Sequence, residues 1–270
     1  MSCAASPAAA VARLAYLRRD LSGQRLDENL PGRIHRDHRN PEPRQIDVGS
    51  QPRLQHGPRS PLARVIFSPE MPTVPHLRDK LRRIISGSMV PDVETDRFIE
   101  SFCTFIDHDP NDAEDDDITL EWIIEKARDA VMRDGIRLLI IDPWNEVEHA
   151  RKRDETTAEY IGRAIRMLKQ FGRQYGVVVI VLAHPTKDIW ERGRQRTPTL
   201  YDIDGSAHWF NKPDHGIVIE RDAVANEATV HIAKVRFDET GYRGAIKMRF
   251  DIASQRYTQL DENVQLELVT

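Results

Sequence analysis

Cysteine is scarce in this sequence, with only Cys3 and Cys103 among 270 residues. Two cysteines cannot build the disulfide framework of a small secreted domain or a cluster of thiolate metal ligands. Long apolar runs are also missing, since none approaches the roughly 20 residues that a helix needs to span a bilayer. The Ala-rich amino terminus is interrupted by Pro7 and Arg13 and predicts a short helix, not a signal peptide. The expected location is therefore cytoplasmic, without a membrane partner.

Neither sign of charge is in strong excess, because 39 Lys and Arg residues oppose 43 Asp and Glu residues for a net charge of −4. The protein therefore lacks an overall positive charge that would attract nucleic acid. Any binding of nucleic acid must depend on a local cluster of basic residues. The hydrophobic fraction of 40% suits one globular domain plus some unpacked chain.

Composition divides the chain near residue 62. Residues 24–60 are rich in Pro, Arg, His, Gln and Gly and have no apolar period, so they bury too little surface to offset the entropy of ordering. We expect a disordered or misframed segment at 1–61, a folded domain at 62–260 and a short tail at 261–270.

From residue 62 onward, apolar strands alternate with amphipathic helices. RVIF, IRLLIID and VVVIVLAHP have the uninterrupted apolar character of buried parallel strands. DETTAEYIGRAIRMLKQFGRQYG has helical spacing and ends at Gly176, and the segments from His215 to Leu260 alternate like antiparallel strands. The pattern predicts an α/β fold: a doubly wound, mainly parallel sheet with antiparallel strands at its carboxyl-terminal end.

Polar residues stand at or just after the ends of four predicted strands, namely Glu70, Asp107, Asp142 and His184. Ligands of open α/β sheets bind at the carboxyl ends of the strands, so the coincidence predicts a site. Taken singly, each residue has a structural alternative. Asp142 could cap a helix, Glu70 could belong to a turn, and His184 could be a hydrogen-bonded residue without a ligand.

Four motifs, FSPEMP, LLIIDPW, VLAHPTK and KVRFDETGYRG, resemble in this order those of the DnaB type of hexameric replicative helicase. That family includes Twinkle and the phage primase-helicases, and DGSAHWFNKPDHGIVIERD is similar to its DNA-loop segment. The resemblance covers roughly Ala63 to Leu260 and implies a RecA-like P-loop NTPase core. It also implies a bacterial or phage ATP-dependent helicase that uses Mg²⁺ and unwinds DNA 5′ to 3′ as a homo-hexamer on single-stranded DNA. It leaves open whether a primase belongs upstream.

The resemblance assigns a role to each matching residue. Glu70 would activate the attacking water and Asp142 would hold Mg²⁺ through water. His184, where many relatives have Gln, would sense the γ-phosphate of ATP. Lys234 and Arg236, two residues apart and so on one face of a strand, would act on the ATP of the neighbouring subunit. A solvated strand face is the alternative for this pair.

The polar loop TKDIWERGRQRTPTLYD carries four predicted DNA-binding cations, Lys187, Arg192, Arg194 and Arg196. Local positive charge that alternates with aromatic side chains can follow the backbone of a single DNA strand. A loop that is merely soluble is the alternative.

The phosphate loop that this family requires, G-x-x-x-x-G-K-[ST], occurs nowhere in the sequence. Its backbone N–H groups and lysine hold the phosphates of the nucleotide. In relatives it would lie near Arg44 to Asp47. The chain as written therefore lacks the first strand-loop-helix unit, which would leave an open edge or a gap in the sheet and impair hydrolysis.

A misread reading frame would explain the absence of the phosphate loop. Arg44 to Val48 can be encoded by CGG-CAA-ATC-GAC-GTG, which from its second base, completed by the first G of the next codon, reads Gly-Lys-Ser-Thr-Trp. The upstream codons for HRNPEP permit Thr-Gly-Ile-Pro-Asn-x in the same frame, and the joined product TGIPNxGKSTW is a complete phosphate loop. We hypothesise that about Leu26 to Ser60 is misframed, with a compensating shift near Leu62. A divergent but genuine arm is the alternative.

Three functions remain open at this point. The first is a hexameric helicase motor domain, and the second is a RecA-like recombination ATPase of the same fold. The third is a RecA-fold ring subunit or DNA-binding module that does not hydrolyse ATP. The missing phosphate loop favours the third for this polypeptide, whereas the set of Glu70, Asp142, His184, Lys234 and Arg236 favours helicase descent.

Overall fold

A computed structural model describes most of the chain beyond residue 61, together with one short segment near the amino terminus. The described residues are 13–17, 62–88, 90, 92–108, 118–185, 190–191, 194–203, 207–222, 224–237, 239 and 241–260. Of the predicted disordered or misframed segment at 1–61, all but residues 13–17 lie outside the described residues, as does the tail at 261–270.

One large sheet organises the described part of the chain, in the order β11-β10-β9-β8-β1-β5-β4-β2-β3. A separate two-stranded sheet pairs β6 with β7. The strands are β1 (Arg13–Leu17), β2 (Arg64–Phe67), β3 (Cys103–Ile106), β4 (Leu138–Ile141), β5 (Val178–Leu182), β6 (Trp190–Glu191), β7 (Arg194–Gln195), β8 (His215–Asp222), β9 (Glu227–Val235), β10 (Gly244–Asp251) and β11 (Arg256–Gln259).

Strands β3, β2, β4 and β5 are parallel neighbours, as the apolar runs predict. They are in register at their carboxyl ends, since Phe67 is opposite Ile141 and Ile141 is opposite Val181. Strands β8 to β11 pair antiparallel, each with the next. The prediction of an α/β fold is confirmed, with four parallel strands and with antiparallel strands towards the carboxyl-terminal end, although the sheet as a whole contains more antiparallel than parallel pairings.

Strand β1 was not expected, because the amino terminus was predicted to be helical and the sheet to have a gap or an open edge. Arg13–Leu17 instead lies between β5 and β8 and pairs antiparallel with both. Leu17 is opposite Val179, near the amino end of β5. The position between β5 and β8 is therefore occupied, but by a strand that runs against its parallel neighbours.

Capping residues in the sequence mark where the helices begin and end. They are α1 (Arg78–Ser86), α2 (Val93–Phe102), α3 (Leu120–Asp134), α4 (Thr157–Tyr175) and α5 (His208–Asn211). At the start of α4, the Thr156 hydroxyl accepts from the Glu159 N–H while the Glu159 carboxylate accepts from the Thr156 N–H. It ends at Gly176, whose φ of 64° is left-handed and suits glycine.

Helices α3 and α4 pack their apolar faces against the parallel strands, and this contact forms the core. Burying each large side chain of this kind contributes about 1.5–3 kcal/mol relative to leaving it exposed. The buried members include Val65, Phe67, Ile123, Ala127, Leu139, Ile141, Ile161, Ile165, Leu168, Val179 and Val181. Burial also raises the pKa of the Cys103 thiol, which forms no disulfide. Among the described residues, no helix is long and apolar enough to cross a membrane.

The turn from α4 into β5 depends on Gly172. A Cβ atom at this position would lie 2.8 Å from the Val177 carbonyl oxygen, a backbone atom that cannot move aside without disturbing β5. Gly172→Ala should therefore lower the free energy of unfolding by about 1–3 kcal/mol, the usual cost of overpacking. Urea denaturation measures the change. Gln174→Ala, at an exposed position of the same helix, is the control and should stay within about 0.5 kcal/mol of wild type.

Candidate active site

Three of the predicted site residues come together at one edge of the sheet. Glu70, Asp142 and His184 follow β2, β4 and β5, whose carboxyl ends are in register. The Asp142 N–H donates to the Phe67 carbonyl at 2.9 Å and so continues the pairing of β4 with β2 by one residue. The site is thus built where the parallel strands end.

Glu70 and His184 face each other across this edge. The His184 Nε2 atom lies 3.9 Å from Glu70 Oε1, and the two side chains are 47% and 52% exposed. The His184 N–H donates to the Asn145 Oδ1 atom at 2.9 Å. Asn145 belongs to the short turn that follows Asp142, so one amide fixes the backbone after β5 relative to the backbone after β4. The sequence signal for Asn145 was only its place three residues after Asp142.

Asp142 is partly buried, and its charge is only partly balanced. Burial raises the pKa of its carboxyl group, while Lys80 and His184 oppose that rise through their charge. Within the described residues the Asp142 carboxylate makes no hydrogen bond. Lys80, on α1, was not singled out by sequence, because nothing local indicates that α1 brings it near β4.

Asp107, the fourth residue predicted at a strand end, forms a hydrogen bond with the loop that follows β2. The Thr73 hydroxyl donates to the Asp107 Oδ1 atom. Asp107 therefore joins the loops that follow β3 and β2, and part of its carboxylate is already used for this contact.

Lys234 and Arg236 lie at the other edge of the sheet. Lys234 is opposite Gly216, near the amino end of β8, which runs parallel to β5 because both pair antiparallel with β1. Four strand spacings separate β9 from β4, or about 19 Å across the sheet. The pair therefore lies away from Asp142 of its own chain.

Backbone carbonyl groups surround both cations of this pair. The Lys234 Nζ donates to the carbonyl oxygens of Phe210 and Asn211, the latter at 2.9 Å. The Lys234 side chain is 9% exposed, and burial lowers its pKa to about 8. For Lys234 the alternative of a solvated strand face is wrong, because it is covered by the carboxyl end of α5.

Arg236 has a more open position than Lys234, with a side chain that is 36% exposed. Its Nη2 atom donates to the carbonyl oxygens of Asn211 at 2.9 Å and Lys212 at 2.7 Å. Its Nε atom lies 2.9 Å from Asp214 Oδ1. The guanidinium group is therefore held in one orientation by the segment between α5 and β8.

The predicted DNA-binding loop is closed at its base, where Pro185 pairs with Ile203. Lys187 and Arg192 lie outside the described residues. Arg194 pairs with Glu191 in the β6–β7 hairpin, of which only the backbone is described. Arg196 forms an ion pair with Asp202, with 2.9 Å from Nη1 to Oδ2, which holds the pKa of that carboxyl group well below its usual range. This pair braces the loop.

Comparison with known proteins matches residues 78–259 to the family model of the DnaB-like helicase C-terminal domain. The chain belongs to this family. A Twinkle homolog protein, chloroplastic/mitochondrial, from Arabidopsis thaliana is 36% identical over 138 residues. That alignment covers 51% of the present chain and 18% of the relative's length.

Family membership identifies the described fold as a RecA-like domain of the replicative-helicase type. The matched range includes Asp142, His184, Lys234 and Arg236, whereas Glu70 precedes it. The role of Glu70 therefore depends on the geometry of the edge and on the FSPEMP motif. The bacterial or phage origin stays a prediction, since the Twinkle homolog is a plant protein.

The edge of the sheet that carries Glu70, Asp142 and His184 is better suited to binding Mg²⁺ than to binding a triphosphate. Mg²⁺ is usually held by one or two carboxylates together with water and substrate phosphates, and Asp142 offers a carboxylate of this kind. Among the described residues, no group of three or more His, Cys, Asp or Glu side chains could cage a metal alone. For the triphosphate, the described edge offers Lys80 and His184 but no glycine-rich turn of backbone N–H groups.

Asp142 should make the stability of the domain depend on pH. Because its folded-state pKa is raised, protonation stabilises the fold fully below the ordinary value of 3.8, and this contribution is lost as pH rises through the folded-state pKa. Asp142→Asn cannot ionise, so its stability relative to wild type should be greater at pH 7 than at pH 4. Urea denaturation at several pH values measures this difference.

Asp129→Asn, at an exposed position of α3, is the matched control for this experiment. A stability difference for Asp142→Asn that stays constant from pH 4 to pH 8 would contradict the assignment of a buried, under-compensated carboxylate.

Proposed function

We propose that the chain is the motor domain of an ATP-driven, 5′ to 3′ replicative DNA helicase whose hydrolysis is impaired in this polypeptide. The observation that carries the proposal is the meeting of Glu70, Asp142 and His184 at the carboxyl edge of a DnaB-like sheet, with His184 3.9 Å from Glu70. These are the residue types that phosphoryl transfer to water requires at one place.

Each residue at this edge has a distinct part in the proposal. Glu70, half exposed, orients the attacking water, and Asp142 holds the water shell of Mg²⁺. His184 contacts the terminal phosphate and is held by Asn145 through its backbone N–H. The bound metal would neutralise charge that develops on the phosphates, and the chain's own side chains would supply the positions.

Lys234 and Arg236 are proposed to act on the nucleotide of a neighbouring copy. Their distance from Asp142 across the sheet and their place at the opposite edge support action in trans. A head-to-tail contact that closes on itself makes a ring, and six copies is the number that the family resemblance implies. Single-stranded DNA would pass the loop with Lys187, Arg192 and Arg194, where Arg196 braces the turn through Asp202.

A second candidate function is a DnaB-like ring subunit or DNA-binding module that does not hydrolyse ATP. The direction of β1 favours it, because the carboxyl end of this strand lies away from Asp142 and cannot supply a phosphate loop there. A recombination ATPase of the same fold is less favoured, because the family match is to replicative helicases.

The chain as given should turn over ATP far more slowly than a helicase, and a chain with the frame restored from about codon 26 to codon 62 should be active. Phosphoryl transfer is catalysed mainly by positioning and charge stabilisation, and both require the N–H groups and lysine of the missing loop. Phosphate release with single-stranded DNA measures turnover of both proteins.

Robust and equal turnover by the unrepaired chain would overturn the argument from the missing loop. A repaired chain with Asp142→Ala is the control, since it keeps the loop but loses the proposed Mg²⁺ carboxylate. Sequencing the gene through codons 24 to 64 tests the frameshift independently of activity.

If Arg236 acts on the nucleotide of a neighbouring subunit, mutant subunits should inhibit the ATPase activity of mixed rings of the repaired protein. An arginine that stabilises the transferred phosphoryl group is worth about 10³ to 10⁵ in rate. Arg236→Ala subunits mixed into wild-type rings should therefore reduce ATP turnover by more than their fraction, since each disables a neighbour's site. Arg133→Ala, an exposed arginine on α3, serves as the mixing control. A loss strictly proportional to the Arg236→Ala fraction would exclude action on the neighbour.

A further inference from the structure

Tyr201 presents an aromatic ring to solvent at the base of the loop that carries the predicted DNA-binding cations. It lies in the short turn Leu200–Asp202, just before Ile203 pairs with Pro185 to close the loop. Tyr201 is 55% exposed, whereas Leu200 before it and Ile203 after it are buried. The chain is therefore anchored on both sides of a residue whose ring stays at the surface.

The ring of Tyr201 is stacked on the ring of Phe210, the third residue of α5. The two ring centroids are 4.6 Å apart, and the ring planes differ by 21°. Phe210 thus covers one face of the Tyr201 ring. Within the part of the chain that the structure describes, no other ring and no cation packs on Tyr201. The opposite face of the ring is therefore available to a planar group that stacks there.

The turn that carries Tyr201 is braced from within the loop. The Asp202 carboxylate accepts from the Thr199 N–H at 2.6 Å and from the Thr199 hydroxyl at 2.8 Å. The Arg196 Nη1 atom also donates to Asp202 Oδ2, at 2.9 Å. Because the ring is already held in place, a ligand that stacks on it would lose little free energy to the ordering of this side chain.

The charges beside the ring suit an anionic strand. Asp202, the acidic residue next to Tyr201, is paired with Arg196. Glu220, on β8, accepts from the Thr197 hydroxyl at 3.1 Å, which also ties this end of the loop to the sheet. A nucleic acid strand whose phosphates contact the cations of the loop would therefore meet the ring beside carboxylates that are already paired.

We propose that Tyr201 is a platform on which one unpaired base of single-stranded DNA stacks while the phosphates of the strand contact the cations of the loop. The presence of the strand rests on the proposed function, which supplies phosphate contacts alone, and the base contact is additional. Every base has an aromatic face, so stacking tolerates any sequence. In a duplex both faces of a base are already stacked on neighbouring base pairs. The platform therefore selects unpaired DNA, which positive charge by itself does not.

Fluorescence anisotropy of the full chain with an oligothymidylate of about ten nucleotides tests the platform. Tyr201→Ala should weaken binding roughly five- to a hundredfold, the effect of removing one stack between a base and an aromatic ring. Tyr201→Phe keeps the ring and should bind within about twofold of wild type. Tyr201→Ala removes no charge, so the slope of log Kd against the logarithm of salt concentration should stay as in wild type.

An oligomer of the same length with abasic sugars separates stacking from the other contacts. It keeps the phosphates but lacks the bases, so wild type and Tyr201→Ala should bind it equally. Tyr257→Ala is the matched control and should bind oligothymidylate as wild type does. Tyr257 is also exposed and also packs on a phenylalanine, with 4.8 Å between its ring centroid and that of Phe250, but it lies on β11, outside the loop. Circular dichroism and thermal melting check that each variant is folded.

Four results would overturn the platform. They are oligothymidylate binding by Tyr201→Ala that equals wild type, a loss of the same size on the abasic oligomer, a loss of that size in Tyr201→Phe, or a loss of that size in Tyr257→Ala. Failure of wild type to bind either oligomer would overturn the platform together with the DNA-binding part of the proposed function. Unchanged binding by Tyr201→Ala would overturn the platform alone, since the loop cations would still account for the affinity.

Discussion

The parallel pairing of β2, β4 and β5 is the constraint on which the candidate site depends. Phe67, Ile141 and Val181 stand opposite one another, so the residues that follow these strands leave the sheet together. The register brings Glu70 and His184 to within 3.9 Å and places Asp142 beside them, although they are far apart in sequence. A one-residue shift would turn the buried side chains of a strand towards its other face, so the core that fixes the register also fixes the site.

The direction of β1 has a consequence for nucleotide binding that its position alone would not reveal. A parallel strand between β5 and β8 would deliver its following loop to the edge that holds Asp142. Arg13–Leu17 runs the other way, and Leu17 ends opposite Val179 at the far edge. Filling the gap in the sheet therefore completes the backbone hydrogen bonding of β5 and β8 without restoring a cradle for phosphates. This separates two properties, an intact sheet and a competent nucleotide site, that normally occur together in the fold.

Most of the sheet could be predicted, because short, uninterrupted apolar runs such as LLII and VVIVL have few other stable arrangements in an α/β chain. Strand β1 could not be, since Ala, Leu and Arg in RLAYL favour a helix locally and become a strand only beside partners such as Leu182 and Val218. The motifs located Asp142 and His184, whereas Asn145 and Lys80 acquire meaning only from tertiary placement. The burial of Lys234 was also missed, because its cover comes from α5 carbonyl groups distant in sequence.

The two edges of the sheet carry complementary chemistry that one copy cannot join. One edge presents Asp142, whose carboxylate lacks full compensation, and the other presents Arg236 beside the buried Lys234. About 19 Å of sheet separates β4 from β9, more than any side chain can span. Contact between the edges therefore requires a second molecule placed head to tail, and such a heterologous contact extends into a ring or a filament. Because the two edges of the sheet differ in this way, the strand directions alone determine that a contact between the edges of two copies is head to tail.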